Sequence, residues 1–172
     1  MTQERAGAIT ARGNPLTLIG PALKAGDKAP AFTLTGQDMK PVTLADTAGK
    51  VRLISVVPSL DTPVCDTQTR KFNEKAATIP GVEILTVSMD LPMAQKRWCG
   101  AAGVDKVKTA SDYKDHGFGK DWGVRIKETG LLARAIFVVG KDDRITYVEL
   151  VPELTQEPGY DQALEAAKKA AN

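Results

Sequence analysis

Apolar runs and helix-like stretches alternate through the middle of this chain. Short segments rich in valine, isoleucine and leucine, at Arg52 to Val57 and Val82 to Ser88, are typical of buried strands. Each is followed by a stretch that favours a helix, Val64 to Ile79 after the first and Pro92 to Ala102 after the second. Strands joined through a helix pair in parallel, so this region predicts a βαβα unit.

The pattern changes after this unit. The region from Gly103 to Gly130 is rich in charge and predicts loops with short helices. Leu132 to Val139 and Ile145 to Val151 predict an antiparallel hairpin, because the Gly-Lys-Asp-Asp sequence between them favours a turn. Tyr160 to Ala171 is rich in alanine and predicts a final helix.

Two hairpins are predicted before the parallel unit. The first is an N-terminal extension of about residues 14–25, in which Leu16 to Ile19 and Ala22 to Lys24 are joined by a Gly-Pro turn. The second pairs Ala31 to Leu34 with Val42 to Leu44. The order βαβα followed by ββα predicts an α/β, thioredoxin-like fold, a central mixed sheet flanked by helices.

Composition narrows the class of protein. A chain of 172 residues with 42% hydrophobic residues can bury one core and is too short for two ordinary domains, so a single domain over residues 1–172 is expected. A formal net charge of +2 without lysine and arginine clusters argues against nucleic acid. No apolar stretch approaches the roughly 20 residues of a membrane span, and no signal core follows the start. A cytoplasmic protein is therefore expected, in a compartment where disulfides are more often catalytic than structural.

Cys65 follows the first predicted parallel strand, in the segment that runs from Pro58 through Ser-Leu-Asp-Thr-Pro-Val to this cysteine. Thr62 can cap the next helix and Pro63 suits its first position, so Cys65 falls in the first helical turn. Unpaired N–H groups and the positive end of the helix dipole favour the nucleophilic thiolate there. The alternative is an inert buried cysteine, which is common. A position just past the carboxyl end of a strand favours the reactive interpretation.

Arg134 interrupts the apolar run that starts at Leu132. A buried guanidinium keeps its charge and therefore needs a partner. One of the 21 aspartate and glutamate residues could supply it, or an edge strand could expose the side chain to water. The functional alternative pairs Arg134 with the Cys65 thiolate and with a substrate oxygen that gains negative charge.

The other candidate groups are a second cysteine and one histidine. Cys99 is too distant in sequence from Cys65 for a CxxC redox motif. The two cysteines and His116 lack the paired spacing of a zinc site, so neither a metal nor a cofactor is expected. His116 lies in a predicted loop, where a solvated or structural role is the usual one.

Four segments together resemble the bacterial thiol peroxidases, which are peroxiredoxins of the atypical 2-Cys kind. The resemblance covers nearly the whole chain and is carried by residues 58–65, by Arg-Trp-Cys-Gly at 97–100, by residues 130–135 and by residues 149–155. It implies that Pro58, Thr62, Cys65 and Arg134 form a peroxidatic site. It also implies that Cys99 is the resolving cysteine, which forms a disulfide with Cys65.

The resemblance further implies a function. Cys65 would attack a hydroperoxide and become a sulfenic acid while Thr62 holds the attacked oxygen, Arg134 donates to sulfur and peroxide, and Pro58 shields the site from water. Hydrogen peroxide and organic hydroperoxides are the expected substrates, a thioredoxin-like dithiol protein the reductant, and a homodimer the assembly. A peroxide-sensing redox switch on the same fold remains an alternative. A general disulfide reductase is disfavoured, because such proteins use closely spaced cysteines.

A disulfide between Cys65 and Cys99 requires the two residues to come close together. Both cysteine-bearing helices follow parallel strands, so Cys65 and Cys99 are expected at one edge of the sheet, near each other but not within bonding distance. A disulfide needs Cα atoms within roughly 7 Å, so one helix is expected to unwind in part. Gly100 and Gly103 weaken the end of the second helix, which makes residues 93–103 the segment expected to open.

Overall fold

The computed structural model describes residues 2–76 and 78–172. The described strands are β1 (Glu4–Ala11), β2 (Asn14–Ile19), β3 (Thr33–Gly36), β4 (Pro41–Thr43), β5 (Val51–Val56), β6 (Val82–Ser88), β7 (Lys108–Ser111), β8 (Arg125–Ile126), β9 (Ala135–Val139) and β10 (Ile145–Leu150). The described helices are α1 (Pro63–Ala76), α2 (Pro92–Ala102), α3 (Gly117–Asp121) and α4 (Tyr160–Ala171), with a short 3-10 helix at Leu44–Thr47.

Seven strands form one mixed sheet in the order β10-β9-β5-β6-β7-β3-β4, and β1-β2-β8 form a second sheet. β5 and β6 pair in parallel, as the βαβα pattern predicts. Helices flank the large sheet, so the predicted thioredoxin-like α/β class is confirmed. The first helix begins one residue earlier than predicted, at Pro63, and its α-helical span ends at Ala76. Ala77, which the predicted helix also included, lies outside the described residues.

Two core clusters cover the two faces of the large sheet. Leu53 of β5 packs with Phe72 of α1 and with residues of α2 and α4. The next residue, Ile54, belongs to the opposite cluster, in which Phe32, Phe118 and Trp122 stack or meet edge to face. Successive side chains of a strand point to opposite faces of the sheet. A strand that is buried on both faces therefore needs apolar residues at odd and at even positions. The central strands are therefore mainly apolar at both odd and even positions, although β5 also buries Arg52 and Ser55.

The N-terminal hairpin differs from its prediction. It consists of β1 and β2 with a turn at Arg12 and Gly13, whose φ angles are 50° and 81°. Residues 22–24, predicted as its second strand, are not a strand. Just after Ile19, position 20 requires glycine, because its φ is 105° and a Cβ there would be 2.0 Å from the Lys120 carbonyl oxygen. β1 was missed because its sequence contains few strand-forming residues.

Three further corrections concern strand boundaries. The second hairpin is formed by β3 and β4, which are shifted from the predicted 31–34 and 42–44. The region predicted as loops and short helices contains β7, which lies between β6 and β3, as well as α3 and β8. β7 has the polar sequence Lys-Thr-Ala-Ser, so its pairing with β6, rather than its apolar content, makes it a strand. The strand predicted from Leu132 begins only at Ala135, which places Arg134 just before β9.

Candidate active site

Cys65 lies in the first turn of α1, as predicted, and its side chain is fully buried. The carbonyl of Thr62 accepts from the Asp66 N–H at 2.9 Å, which starts the helical ladder. The Thr62 hydroxyl donates to the Ser59 carbonyl at 3.0 Å, and the predicted capping bond, in which it would accept from a backbone N–H of α1, is not among its contacts in the described residues. A hydroxyl that donates in this way keeps two lone pairs, so it can accept a hydrogen bond from a molecule in the pocket.

Arg134 donates directly to the sulfur of Cys65. Its Nη1 lies 3.3 Å from Sγ and 2.9 Å from Oε1 of Gln68, and the arginine side chain is only 2% exposed. A thiolate accepts a hydrogen bond from a guanidinium far better than a neutral thiol does, so this contact favours the nucleophilic form. The two residues predicted to meet on functional grounds are therefore in contact.

The structural alternatives for Arg134 do not hold. β9, which follows it, lies between β10 and β5 rather than at an edge. The hydrogen bonds of its guanidinium in the described chain go to Cys65, Gln68 and the Leu154 carbonyl, with no carboxylate among them. Since a buried cation needs compensating negative charge, the sulfur of Cys65 is the group in contact that can supply it.

Two neighbours that the sequence analysis missed hold Arg134 in place. The carbonyl of Leu154 accepts from its Nε at 3.1 Å and from Nη2 at 2.9 Å. Gln68 is itself oriented by Ser55 of β5, whose hydroxyl accepts from Gln68 Nε2 at 2.7 Å. A polar residue three positions after Cys65, on the same face of a helix, was a usable sequence signal for Gln68. A backbone carbonyl leaves no such signal.

A mainly apolar pocket of about 480 Å³ opens beside this pair. Pro58 and Thr62, both predicted site residues, line it together with Arg134. The rest of the lining comes from the hairpin turn, the start of α1 and the loops beside β9 and β10: Ala11, Arg12, Asn14, Pro63, Val64, Leu131, Leu154 and Thr155. Such a pocket has room for a small organic molecule with one polar end directed at Arg134.

Asp90 holds the loop that carries Pro58 and Thr62. Its Oδ1 accepts from the Ser59 hydroxyl at 2.6 Å, and its Oδ2 accepts from the Leu60 N–H at 2.7 Å. The Ser88 hydroxyl donates to the same Oδ2 at 2.7 Å. These bonds tie the loop before α1 to the end of β6, so the position of Thr62 depends on a carboxylate remote in sequence.

Glu153 joins the N-terminal hairpin to the segment that holds Arg134. Its carboxylate accepts from the Gly13 N–H at 2.9 Å and from the Thr155 N–H and hydroxyl at 2.8 and 2.6 Å. These hydrogen bonds, those of Thr155 foremost, lower the pKa of Glu153 to about 2. The next residue is Leu154, whose carbonyl binds Arg134. The segment of residues 153–155 therefore contacts both the hairpin turn and the arginine.

Glu157 and Tyr160 lie close enough to Arg134 to feel its charge, but they do not line the pocket. The Tyr160 hydroxyl donates to Glu157 at 2.8 Å, and Lys71 of α1 is paired with the same carboxylate at 3.1 Å. Burial, followed by this hydrogen bond, raises the pKa of Tyr160. The bonds from Tyr160 and Lys71 lower the pKa of Glu157, and the charge of Arg134 acts in the same direction. Glu157 therefore stays ionised near Arg134 without replacing the sulfur as its partner.

Cys99 is not brought to Cys65. It is buried at the end of α2, where its sulfur accepts from Nε2 of Gln37 at 3.5 Å. It lines a separate cavity of about 360 Å³ together with Gln37 and Thr109. Thr109 pairs with Thr86 in the middle of β6, so the expectation that both cysteines lie at the edge of the sheet is wrong for Cys99. α2 runs back along the sheet, which carries Cys99 about 10 Å from the start of the helix.

His116 lies at the start of a short helix, away from the residues around Cys65 described above. It precedes α3 in a left-handed conformation, with φ at 63°, and contacts the guanidinium of Arg125. Within residues 2–76 and 78–172, His, Cys, Asp and Glu side chains form no group of three or more that could hold a metal ion. In the same residues, every helix is too short or too polar to cross a membrane.

Comparison with known proteins gives consistent matches. The Redoxin family model matches residues 24–164. A thiol peroxidase of Halalkalibacterium halodurans is 61% identical over 163 residues, which is 95% of this chain and 98% of that protein. A thiol peroxidase of Bacillus subtilis is 52% identical over 160 residues, 93% of this chain and 96% of that one. Among solved structures, a peroxiredoxin-like protein from Aquifex aeolicus superposes with a TM-score of 0.90 at 42% identity, over 98% of both chains.

Proposed function

Because this chain belongs to the redoxin family and, within it, to the thiol peroxidases, we propose that it reduces hydroperoxides with Cys65 as the attacking thiol. Thiol-dependent peroxide reduction is the activity of its family. The observation that carries the assignment of residues is the contact of 3.3 Å between Cys65 Sγ and Nη1 of Arg134, a residue that lines an apolar pocket. A buried cation beside a sulfur activates that sulfur as a nucleophile.

The first step transfers one oxygen atom. The Cys65 thiolate attacks the terminal oxygen of R–O–O–H, the O–O bond breaks, and the sulfur becomes a sulfenic acid, Cys–S–O–H. The departing R–O⁻ takes a proton from water and leaves as an alcohol, or as water when R is hydrogen. The sulfur is oxidised by two electrons and the peroxide is reduced by two.

Three further residues support this step. The Thr62 hydroxyl, which donates to Ser59, accepts a hydrogen bond from the terminal O–H of the peroxide. The guanidinium of Arg134 donates to the peroxide oxygens as they gain negative charge, which lowers the barrier most when the donor is already in place. Pro58 is buried and covers one wall of the pocket, so that it limits access of water.

Cys99 completes the cycle in this proposal. Its thiol condenses with the Cys65 sulfenic acid to form a disulfide and one molecule of water. A dithiol protein of the thioredoxin type then reduces the disulfide by thiol–disulfide exchange and becomes oxidised itself. Because Cys99 lines a separate cavity and contacts Gln37 while Cys65 contacts Arg134, α2 opens before the disulfide can form.

We place the enzyme in the cytoplasm as a homodimer. The support for the compartment is the presence of two free thiols whose turnover needs a reducing environment. The support for the dimer is the resemblance to the family. Sedimentation of the reduced and oxidised protein tests the assembly, since a monomer in both forms would exclude it.

Peroxide consumption by cysteine variants tests the assignment. Cys65→Ser should consume no peroxide, whereas Cys99→Ser should consume one equivalent and accumulate a sulfenic acid that dimedone labels. The wild type should consume peroxide in proportion to the dithiol protein supplied. If it stops after one equivalent with reductant still present, the protein is the peroxide-sensing switch instead.

A further inference from the structure

Three side chains join the helix of Cys65 to the helix of Cys99. Asp66 directly follows Cys65, and Arg70 lies one turn further along α1. Trp98 directly precedes Cys99 in α2. These three side chains, Asp66, Arg70 and Trp98, are called the cross-helix latch below.

Several contacts hold the latch closed. The indole Nε1 of Trp98 donates to Oδ2 of Asp66 at 3.3 Å, while Nε of Arg70 donates to Oδ1 of the same carboxylate. The guanidinium of Arg70 lies over the ring of Trp98, with Cζ 5.7 Å from the ring centre, and its Nη1 donates to the Ala102 carbonyl at 3.1 Å. Ala102 is the last residue of α2, so both the middle and the end of this helix are tied to the first two turns of α1.

Trp98 also packs between the surroundings of the two cysteines. Its ring packs against the cluster of Val57, Leu60 and Cys65. It also packs against the cluster that contains Cys99. A side chain shared by both clusters has to leave at least one of them when the two sulfurs approach each other.

Formation of the disulfide conflicts with the closed latch. The sulfur of Cys99 lines a cavity with Gln37 and Thr109, whereas Cys65 lies beside Arg134. To bond, the Cα atoms must come within roughly 7 Å with their Cβ atoms directed at each other, so α2 has to turn or unwind. Residues 98 and 102 move with it, and the contacts to Asp66 and Arg70 break.

We propose that the cross-helix latch is a positioning device that sets the rate at which Cys99 reaches the oxidised Cys65. This inference rests on the proposed roles of the two cysteines. While the latch is closed, α1 keeps the geometry in which Arg134 contacts Cys65 and peroxide can react. When the latch opens, the Cys99 thiol attacks the sulfenic sulfur, the S–O bond breaks, the disulfide forms and water leaves.

The rate of opening has a chemical consequence. A sulfenic acid that waits for Cys99 can react with a second hydroperoxide, which transfers another oxygen atom to give a sulfinic acid and an alcohol. A closed latch lengthens this wait. The latch therefore sets the peroxide concentration above which Cys65 is lost to overoxidation.

Two variants weaken the latch with small changes of shape. Trp98→Phe keeps an aromatic ring but removes the indole N–H, and Asp66→Asn removes the charge that both Trp98 and Arg70 contact. The matched control is Asp161→Asn in α4. This change removes an exposed carboxylate, 90% accessible, that lies 4.0 Å from Lys75 near the other end of α1. Loss of one such hydrogen bond is expected to speed opening about fivefold, since its net contribution is about 1 kcal/mol.

The decisive measurement does not use peroxide. In reduced protein that carries Cys65→Ser, Cys99 is labelled with a maleimide. At high maleimide concentration the labelling rate no longer depends on the reagent, and it then equals the rate at which α2 opens and exposes Cys99. We expect this rate to rise about fivefold in Trp98→Phe and in Asp66→Asn and to stay unchanged in Asp161→Asn. Equal labelling rates in all of these proteins would overturn the proposal, whatever the roles of the cysteines in catalysis.

A second measurement connects the latch to turnover. In stopped-flow experiments with intact cysteines, the sulfenic acid should form at the wild-type rate in both latch variants, the disulfide should form about fivefold faster, and less sulfinic acid should appear at high peroxide. An unchanged rate of disulfide formation would contradict the latch while leaving the peroxidase assignment intact. If no sulfenic acid forms in the wild type, the proposed function fails and the labelling rates still decide whether the latch controls opening.

Discussion

Arg134 and Leu154 are joined by two hydrogen bonds that end on one atom. Nε and Nη2 of the guanidinium both donate to the Leu154 carbonyl oxygen, at 3.1 and 2.9 Å. The remaining nitrogen, Nη1, is thereby directed at Cys65. A planar guanidinium fixed along one edge presents its other donors in a defined direction, which a flexible ammonium group does not do.

Replacing Arg134 should therefore slow the attack on peroxide. Arg134→Met keeps much of the buried volume but removes the donors to Cys65, and we expect the second-order rate with hydrogen peroxide to fall about 100- to 1,000-fold. Arg134→Lys should recover little of this rate, because it cannot bond both Leu154 and the sulfur in the same geometry. Stopped-flow kinetics measure the rate, and circular dichroism checks the fold. Wild-type kinetics in Arg134→Met would show that the arginine is purely structural.

The carboxylate of Asp90 should control the order of the loop before α1. In Asp90→Asn one carboxylate oxygen is replaced by an NH₂ group that faces a donor, Ser59 or Leu60. Unfolding should become easier by about 2 kcal/mol, as expected for lost hydrogen bonds to a charged group. Hydrogen exchange in residues 58–62 should accelerate, and peroxide attack should slow with it. The control is Ser59→Ala, which removes one of the bonds and should have a smaller effect.

The pKa of Glu153, lowered to about 2, predicts a loss of hairpin docking in acid. A carboxyl group whose pKa is lower in the folded state than its ordinary 4.5 stabilises that state above pH 4.5. This stabilisation is lost as the pH falls from about 4.5 toward 2. Hydrogen exchange around Gly13 should therefore rise across this window in the wild type. In Glu153→Gln it should already be high at neutral pH, whereas Asp46→Asn, a carboxylate at another turn, should behave as the wild type.

The raised pKa of Cys99 predicts that α2 opens more readily in alkaline solution. Burial raises the pKa of this thiol above its ordinary value of 9.0. A group whose pKa is higher in the closed form stabilises that form below pH 9.0, and this stabilisation is lost as the pH rises through the raised value. Hydrogen exchange in residues 93–103, corrected for its intrinsic pH dependence, should accelerate above this pH in the wild type and not in Cys99→Ser. The same acceleration in both proteins would assign the effect to another group.

Local patterns predicted the elements that carry the first cysteine. The apolar run of β5 and the proline at the first position of α1 determine how the chain turns from strand to helix, and they act over only a few residues. Hence the position of Cys65 in the first helical turn was correct. The N-terminal hairpin was misplaced by comparison, since β2 pairs on one side with β1, which has few strand-forming residues, and on the other with β8, which is remote in the chain.

The sequence by itself determined the βαβα order, the place of Cys65 at the start of a helix and the need of Arg134 for a partner. These follow from hydrophobic periodicity, from the preference of proline for the first helical position and from the cost of burying a charge, all of which depend on residue type and short spacing. Only the tertiary structure decided that Arg134 meets Cys65, that Asp90 and Glu153 hold the surrounding loops, and that Cys99 faces a different cavity. These contacts join elements remote in the chain, and their geometry results from packing of the whole molecule, which short-range patterns do not encode.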